Sequence, residues 1–298
     1  MQKFPRTTVG GVSLSRLIIG TNWFLGWSHT TAAKDEYIKE HIRTRDAMAE
    51  IIEVFLRAGI DTIMGSINSA PLKEAIEEAQ QRTGEKMIII STPSFPIKPD
   101  TPEKGFDMGE VNKICAEHAA LGTTFCMPHQ QTTDALLDRC SRKIRKMEQI
   151  TAAIRAHGMI PGLSTHMPES ITYADESGLD VESYIQIYNS MGFLMQVEVD
   201  WVQRLILSAR KPVMTIKPFA AGQIRPLQGL TFVWNSIRPQ DMVTVGTMSP
   251  REASEVIEMS MAILERREVR LGLQETRSKS SIKPLAKPVA CPGMHPRA

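Results

Sequence analysis

The feature of the chain that most constrains its fold is a regular alternation of short apolar runs with helix-sized amphipathic segments. The runs are Arg16–Thr21, Ile60–Met64, Met87–Thr92, Thr123–His129, Met159–Thr165, Ser183–Asn189, Val213–Phe219 and Met242–Thr247. Intervening stretches such as "TRDAMAEIIEVFLRAG" and "SRKIRKMEQITAAIRAHG" carry apolar residues at three- and four-residue spacing and end near Gly, as helices do. Strands that alternate with helices predict a parallel sheet with crossover helices.

Eight strand–helix units are the number that closes a (β/α)₈ TIM barrel, and a chain of 298 residues is long enough for one. An open, doubly wound α/β sheet is the competing architecture. It normally carries a G-x-G-x-x-G turn after its first strand, whereas this chain has "GTNWFLG" there. We therefore predict a TIM barrel over residues 1–265.

Two segments lie outside the repeat. Thr7–Ser15 has the pattern of a β-hairpin that turns at Gly10–Gly11, which would precede the first strand and close the bottom of the barrel. Residues 266–298 are basic at first and then rich in Lys, Ser and Pro. We expect this C-terminal extension to be disordered or laid over the barrel, and not to form a domain.

The composition narrows the setting in which the protein acts. Its formal net charge of +2 gives no reason to expect a nucleic-acid partner. The chain has no apolar run of about 18 residues, and its start, "MQKFPRTTVGG", lacks the apolar centre of a signal peptide, so no membrane contact is expected. Cys115, Cys126, Cys140 and Cys291 show no Cys-x-x-Cys spacing, and we expect reduced thiols in a cytoplasmic protein.

Polar and aromatic side chains follow the predicted strands at their carboxyl ends, where a TIM barrel carries its chemistry. In chain order they include Asn22, Trp23, His29, Asp61, Ser94, His129, Ser164, His166, Gln186, Tyr188, Asn189, Lys217, Ser249 and Arg251. So many polar groups at one end of a barrel contribute little to stability. They predict a site for a small hydroxylated molecule rather than an apolar one.

Several motifs resemble segments of one enzyme family and occur in the order expected of it. They are "VSLSRLIIGT", "AGIDT", "GLSTHMPES", "IQIYN", "MTIKPFAAGQI" and "TVGTMSPREASEVIE". Together they resemble the aldo-keto reductase superfamily over nearly the whole chain, from the hairpin to about Leu264. The resemblance implies a TIM barrel in which a nicotinamide delivers hydride to a carbonyl while a Tyr, assisted by Asp, Lys and His, supplies the proton.

Matched residue by residue, the resemblance is incomplete at the catalytic positions. Asp61 takes the position of the family's Asp and His129 that of its His, but Ser66 stands at the Tyr position and Pro93 at the Lys position. A Ser hydroxyl is a far weaker acid than a phenol of pKa about 10, so Ser66 cannot take over proton donation. The sequence therefore argues against Tyr-dependent reduction.

The resemblance also implies NADP as a cofactor. Ser164 and Gln186 match positions that hold the nicotinamide amide, and Tyr188 would stack nearby. "GTMSPREASE" resembles the loop and helix start that bind the adenosine phosphate, with Ser249 and Arg251 as the residues expected to contact it. The alternative for Arg251 is a solvated side chain in the first turn of a helix.

The remaining predicted roles concern substrate and catalysis. Asn22, Trp23, Ser94 and Asn189 are expected to contact a small carbonyl or sugar-like ligand. The candidate catalytic residues are Asp61, His129, His166 and Lys217. For Lys217 two interpretations stay open: a Schiff-base nucleophile if burial lowers its pKa, or a cation that anchors a carboxylate or phosphate.

A divalent metal such as zinc or manganese is a weaker alternative. Its ligands would be His29, His129 and His166 beside Asp61, although no H-x-x-x-H spacing supports it. Three functions therefore follow from the sequence. They are a divergent NADP-linked oxidoreductase, a non-redox isomerase, epimerase or lyase that acts on a keto-sugar with His bases, and a ligand-binding module without turnover.

Overall fold

The computed structural model describes residues 3–42, 44–272, 278–279 and 282. Its strands are β1 (Arg6–Val9), β2 (Val12–Ser15), β3 (Leu17–Gly20), β4 (Thr62–Gly65), β5 (Ile88–Ser91), β6 (Phe125–Cys126), β7 (Leu137–Asp138), β8 (Lys143–Ile144), β9 (Ile160–Pro161), β10 (Leu163–Thr165), β11 (Tyr184–Ile187), β12 (Val213–Ile216) and β13 (Met242–Val245).

The helices are α1 (Ala32–His41), α2 (Arg45–Arg57), α3 (Ala70–Thr83), α4 (Thr101–Lys104), α5 (Met108–Ala120), α6 (Gln130–Ala135), α7 (Met147–Ala156), α8 (Glu169–Ser177), α9 (Val199–Ser208), α10 (Pro226–Ser236) and α11 (Pro250–Glu265). A 3₁₀ turn spans Ala220–Gly222. No helix in the described part of the chain is both long enough and apolar enough to cross a membrane.

The central sheet is parallel and has the strand order β10-β11-β12-β13-β3-β4-β5-β6-β9. The two ends of this order, β9 and β10, are consecutive in the chain and are separated by Gly162 alone. They form one bent strand, so the nine segments make eight passes of a closed barrel. This confirms the predicted TIM barrel and excludes the open sheet, whose edges would be unpaired.

Gly162 makes the bend in this fifth strand. A Cβ at this position would lie 2.8 Å from the carbonyl oxygen of Ser183 and would overlap the side chain of Met127. The amide of Gly162 donates to Cys126 O at 3.3 Å, and that of Leu163 donates to Ser183 O at 3.1 Å. The chain thus changes its hydrogen-bonding partner from β6 to β11 at this point, and only glycine leaves room for it.

The barrel interior is filled by alternate side chains of the strands, as the period of two requires. Ile18, Met64, Phe125 and Ile185 belong to this inner cluster, which Val9 and other apolar residues of the N-terminal hairpin extend at one end. The hairpin pairs β1 with β2 in the predicted register, around a Gly10–Gly11 turn with φ of 52° and 82°. It closes the amino-terminal end of the barrel.

The helices form the outer layer because each carries one apolar face. In α2, Thr44 caps the first turn by accepting from Ala47 N at 3.1 Å. Ile52 and Phe55 on the same helix are fully buried against the barrel. Burial of such side chains contributes roughly 1.5–3 kcal/mol each, which is what holds the helices on the sheet.

One predicted helix is shorter than expected. The stretch "SRKIRKMEQITAAIRAHG" was predicted as a single helix, but α7 begins only at Met147. The preceding residues form the antiparallel pair β7–β8. Asp138 accounts for this turn, since its carboxylate accepts from Cys140 N at 3.0 Å, Ser141 Oγ at 2.7 Å and Arg145 Nη2 at 2.7 Å. These bonds compete successfully with helical hydrogen bonds.

The start of the C-terminal extension follows the barrel surface. Arg267 forms an ion pair with Glu258 of α11 at 2.6 Å, and Val269 and Leu271 pack on the outer core. The rest of the predicted extension, including Cys291, falls largely outside the described residues. Within them, Cys115, Cys126 and Cys140 are free thiols.

Candidate functional site

A cavity of about 640 Å³ opens at the carboxyl ends of the barrel strands. Its walls come from the loops that follow β3, β4, β5, β6, β10 and β12. The polar and aromatic residues on it include Asn22, Trp23, Trp27, His29, Ser66, Asn68, Ser94, His129, Gln131, Ser164, His166 and Lys217. This is the end of a TIM barrel at which catalytic residues lie, and the volume suits a small molecule.

Lys217 stands directly after β12 and lines the cavity. Its backbone is left-handed, with a φ of 60°, a conformation that costs a non-glycine residue about 1 kcal/mol or more. The turn is fixed because Ala220 N donates to Lys217 O at 3.0 Å. Among the described residues the ammonium group has no hydrogen bond and no ion pair. Burial lowers the pKa of Lys217 to about 8.

His166 is held at the cavity by a carboxylate behind it. Its backbone N–H donates to Asp134 Oδ2 at 3.0 Å, and the hydroxyl of Thr165 donates to Asp134 Oδ1 at 2.5 Å. No hydrogen bond to the imidazole of His166 exists within the described part of the chain, so both ring nitrogens are available to a ligand. Burial, followed by the charge of Lys217, lowers the pKa of His166 to about 4. The ring is therefore neutral at pH 7.

His129 caps helix α6. Its Nδ1 accepts from Gln131 N at 3.4 Å, while its own backbone N–H donates to Pro93 O at 2.8 Å. Burial and the nearby Lys217 lower the pKa of His129. Because Nδ1 accepts a hydrogen bond, the neutral ring carries its proton on Nε2. His129 is consequently placed as a hydrogen-bond donor toward the cavity.

His29 lies at the exposed rim, in a left-handed conformation with a φ of 62°. Its Nε2 and the side-chain amide of Asn22 are 2.7 Å apart. Partial burial and the charge of Lys217 lower the pKa of His29, while Asp35 acts in the opposite direction. Asp35 itself is engaged, since it accepts from Ser28 N at 2.7 Å. With an amide N–H donating to Nε2, the neutral ring would carry its proton on Nδ1.

The charge on the cavity wall is one-sided. The described lining residues include no Asp, Glu, Arg or Tyr. Four imidazoles with lowered pKa values, those of His29, His118, His129 and His166, share this wall with one lysine, Lys217. A ligand that carries a carboxylate or phosphate would supply the missing negative charge.

Asp61 does not belong to this site, and its predicted position was wrong. β4 begins at Thr62, so Asp61 precedes the strand instead of ending it. Its carboxylate forms an ion pair with Arg6 of the N-terminal hairpin at 2.8 Å. Asp61 therefore lies at the opposite, amino-terminal end of the barrel. The cavity end of the strand carries Met64 and Gly65 instead.

Three residues predicted after β11 also lie away from the cavity. Gln186 is fully buried on the outer side of the strand, with Nε2 donating to Ile187 O at 3.2 Å. Tyr188 is buried in the outer core, with its ring centroid 5.0 Å from that of Phe232. Asn189 stabilises the following turn by accepting from Phe193 N at 2.9 Å. Gln186, Tyr188 and Asn189 are therefore not among the residues that line this cavity.

The predicted phosphate contacts at α11 are occupied by the protein itself. Ser249 caps the helix by accepting from Glu252 N at 3.1 Å, and Glu252 accepts from Met248 N at 2.7 Å. Arg251 is exposed and faces Glu255 at 3.3 Å. A carboxylate in this first turn would repel a phosphate. Of the predicted cofactor residues, Ser164 lines the cavity, while Ser249 and Arg251 lie at the start of α11.

The three histidines proposed for a metal do share the cavity. Across the described ranges, however, no group of three or more His, Cys, Asp or Glu side chains is arranged to hold a metal ion. Asn22 already occupies Nε2 of His29, and Gln131 occupies Nδ1 of His129. The arrangement is one of separate hydrogen-bonding groups around a ligand-sized space.

The sequence placed some cavity residues correctly and missed others. The cavity is lined, as predicted, by Asn22, Trp23, Ser94, His129, Ser164, His166 and Lys217. Trp27 was missed because it lies in the irregular loop that follows β3. Asp134, which holds the backbone of His166, was missed because it lies within α6 and not at a strand end.

Solved structures similar to this chain include aldo-keto reductases. One from Pseudomonas aeruginosa, described as a candidate aldo-keto reductase, has a TM-score of 0.62 at 16% identity, over 88% of this chain and 98% of that one. An aldo/keto reductase from Brucella melitensis has a TM-score of 0.53 at 12% identity, over 92% and 95%.

An aldo-keto reductase from a deep-sea metagenome library has a TM-score of 0.54 at 9% identity, over 93% of both chains. No family model matches the sequence, and no curated protein does. At these identities the likeness shows the fold alone: this chain folds into a TIM barrel like that of these structures.

Proposed function

We propose that the protein is an enzyme that moves a proton next to the carbonyl group of a small, anionic, sugar-like compound. The reaction would be an isomerisation, an epimerisation or a lyase cleavage. The observation that carries the proposal is the composition of the cavity wall, which combines one unpaired lysine with four imidazoles of lowered pKa and no carboxylate among its described residues. Such a site can bind an anion and remove a proton, but it has no acid of the tyrosine type.

The hydrogen bonds around the imidazoles suggest different roles for them. His166 has a free ring that is neutral at pH 7, so it can accept a proton from the carbon beside the carbonyl. His129 presents an N–H and can donate to the carbonyl oxygen as negative charge develops there. Lys217 supplies positive charge to the same oxygen or to an anionic substituent of the ligand.

Carbonyl reduction with NADP is the second candidate, because the fold is that of aldo-keto reductases. In this case His129 would be the proton donor. All four tyrosines of the chain are described, and none lines the cavity. The hydroxyl of Tyr184, for example, donates to Asp175 at 2.7 Å. We rank reduction second for that reason, and we place a binding protein without turnover third.

Solvent exchange tests the proposal directly. The purified full-length protein is incubated in D₂O with pyruvate, dihydroxyacetone phosphate and fructose 6-phosphate, and deuterium at the carbon next to the carbonyl is followed by NMR. Neutral fructose and dihydroxyacetone are the matched controls for ligand charge. We expect exchange with at least one anionic compound and much slower exchange with its neutral counterpart. A parallel reaction with EDTA reports whether a metal takes part.

Two results would count against proton transfer. Tight NADPH binding with carbonyl-dependent oxidation and no exchange would support the oxidoreductase. Saturable ligand binding without either reaction would support the binding protein. His157→Gln is the matched control for any histidine variant, since His157 ends α7 and contacts Asn112 at 3.3 Å, away from the cavity.

A further inference from the structure

The position of Lys217 in the cavity differs from that of a lysine that only anchors an anion. Anchoring lysines usually lie at the rim, where water solvates the ammonium group and the stem is flexible. Lys217 instead follows the inner strand β12 directly and is held by a left-handed backbone with a φ of 60°. Its carbonyl is tied down by Ala220 N at 3.0 Å. Strained backbone that the surroundings fix in this way is concentrated at functional sites.

The surroundings of Lys217 disfavour its charged form. Lys217 is half-buried, and among the described residues its side chain has no carboxylate partner. Desolvation is the cause of the lowered pKa of Lys217, and the described cavity wall holds no carboxylate that would offset it. With a pKa lowered from 10.5 to about 8, about a tenth of Lys217 is the neutral amine at pH 7, far more than for a solvated lysine. A neutral amine is also a nucleophile.

The bases of the site need a strong electron sink. With a pKa of about 4, His166 is a weak base for removing a proton from carbon. Hydrogen bonds from His129 stabilise an enolate only moderately. A positively charged iminium carbon next to the C–H bond makes the proton far more acidic, because the electron pair is then delocalised onto nitrogen without forming an anion. An iminium ion formed by the unpaired amine of Lys217 would therefore make the carbon acid strong enough for a base as weak as His166.

We propose that Lys217 forms a covalent imine with the carbonyl carbon of the substrate. The inference rests on the proposed function, because it names the electron sink for the proton transfer described above. It also assigns the substrate class, namely a ketone or keto acid with an unhindered carbonyl group and an anionic substituent.

The step balances without a redox partner. The lone pair of Lys217 Nζ attacks the carbonyl carbon, and the carbonyl oxygen takes up a proton to give a carbinolamine. Loss of the oxygen as water forms the C=N⁺ bond of the iminium ion. His166 then takes the proton from the adjacent carbon, and the C–H electron pair forms the enamine. Reprotonation and addition of water reverse the sequence and release the free amine.

Reductive trapping tests the imine. The full-length protein is incubated with pyruvate or dihydroxyacetone phosphate, treated with sodium borohydride, and analysed by intact mass and peptide mapping. We expect a single reduced adduct, located on Lys217, that requires both the carbonyl compound and borohydride. Lys217→Arg keeps the positive charge but lacks the nucleophile, and it should reduce the adduct at least about tenfold.

The matched control is Lys211→Arg. Lys211 precedes β12 at the other end of the barrel and pairs with Glu182 at 3.4 Å, so its loss should leave the adduct unchanged. Deuterium exchange without any trapped adduct would overturn the imine and keep the proposed proton transfer. An adduct without exchange would keep the imine and overturn the proton transfer. Neither signal with any of these compounds would overturn the imine, as would an adduct distributed over surface lysines.

Discussion

The two ends of the barrel treat charge in opposite ways. At the amino-terminal end, Asp61 and Arg6 form an ion pair at 2.8 Å, and Arg16 donates to Asp241 O at 2.9 Å. At the carboxyl end, Lys217 has no counter-ion among the described residues, and the imidazoles around it have lowered pKa values. The amino-terminal end satisfies its polar groups within the protein, whereas the carboxyl end leaves the ammonium group of Lys217 without a partner among the described residues.

The difference shows where the chain gives up stability. An unpaired, half-buried cation and a left-handed lysine both cost free energy, and neither is needed to close a barrel. The ion pair between Arg6 and Asp61 instead stabilises the fold, since it joins β1 to the turn before β4. We conclude that the hairpin end serves the fold and that the cavity end serves a ligand.

The largest effect is expected for Lys217→Met. This change removes the nucleophile and the charge while keeping an unbranched side chain of similar length. If the cavity end serves a ligand and not the fold, deuterium exchange should fall by roughly 10³-fold or more. The free energy of unfolding should rise by about 1 kcal/mol, because an unpaired cation has been removed. Urea unfolding and NMR exchange measure the two. Loss of both activity and stability would mean that Lys217 is a structural residue.

The next largest effects are expected for the histidines. His166→Gln and His129→Gln should each lower the exchange rate by about 10²–10⁴-fold, which is the usual contribution of general acid–base catalysis. Both glutamines retain polar contacts, so the folded structure should persist in circular dichroism. His157→Gln should match the wild type. Equal activity in all three variants would place the chemistry away from this cavity.

The barrel itself could be predicted because every level of the sequence agrees on it. The strand β11 and the helix α2, for instance, show their period and length directly in the pattern of apolar residues. The hairpin was equally clear from Gly10–Gly11. Before α7, hydrogen bonds to the side chain of Asp138 compete with helical hydrogen bonds. The predicted start of this helix was wrong for that reason.

The site could be predicted only in part, because strand boundaries decide which face a side chain occupies. Asp61 is the second residue of the predicted run Ile60–Met64 and directly precedes β4, so its assignment to the carboxyl end of the strand did not follow from the pattern of apolar residues. On β11, the alternation that sends Ile185 inward sends Gln186 outward, which a motif match does not reveal. Contacts such as that of Asp134 with Thr165 depend on tertiary packing.

Acid should destabilise the cavity end first. The pKa of His166 is lowered from 6.5 to about 4 in the folded state, so the unfolded chain binds its proton more readily. The contribution of His166 is therefore complete above pH 6.5 and is lost as the pH falls toward 4, by on the order of 1–2 kcal/mol. Urea midpoints of the wild type and His166→Gln, measured from pH 7 to pH 4, should converge or cross. Parallel curves would show that the ring is solvated.

The smallest effect is expected at the other end, for Asp61→Asn. The pair with Arg6 is partly exposed, and such ion pairs contribute about 0–1 kcal/mol, so unfolding should become easier by less than about 1 kcal/mol. Deuterium exchange and borohydride trapping should be unchanged, because Asp61 lies across the barrel from Lys217. Arg6→Met and the double variant complete a thermodynamic cycle that isolates the pair. A drop in exchange of tenfold or more in Asp61→Asn, without unfolding, would contradict the separation of the two ends, because a carboxylate that acts only on the hairpin has no route to the chemistry.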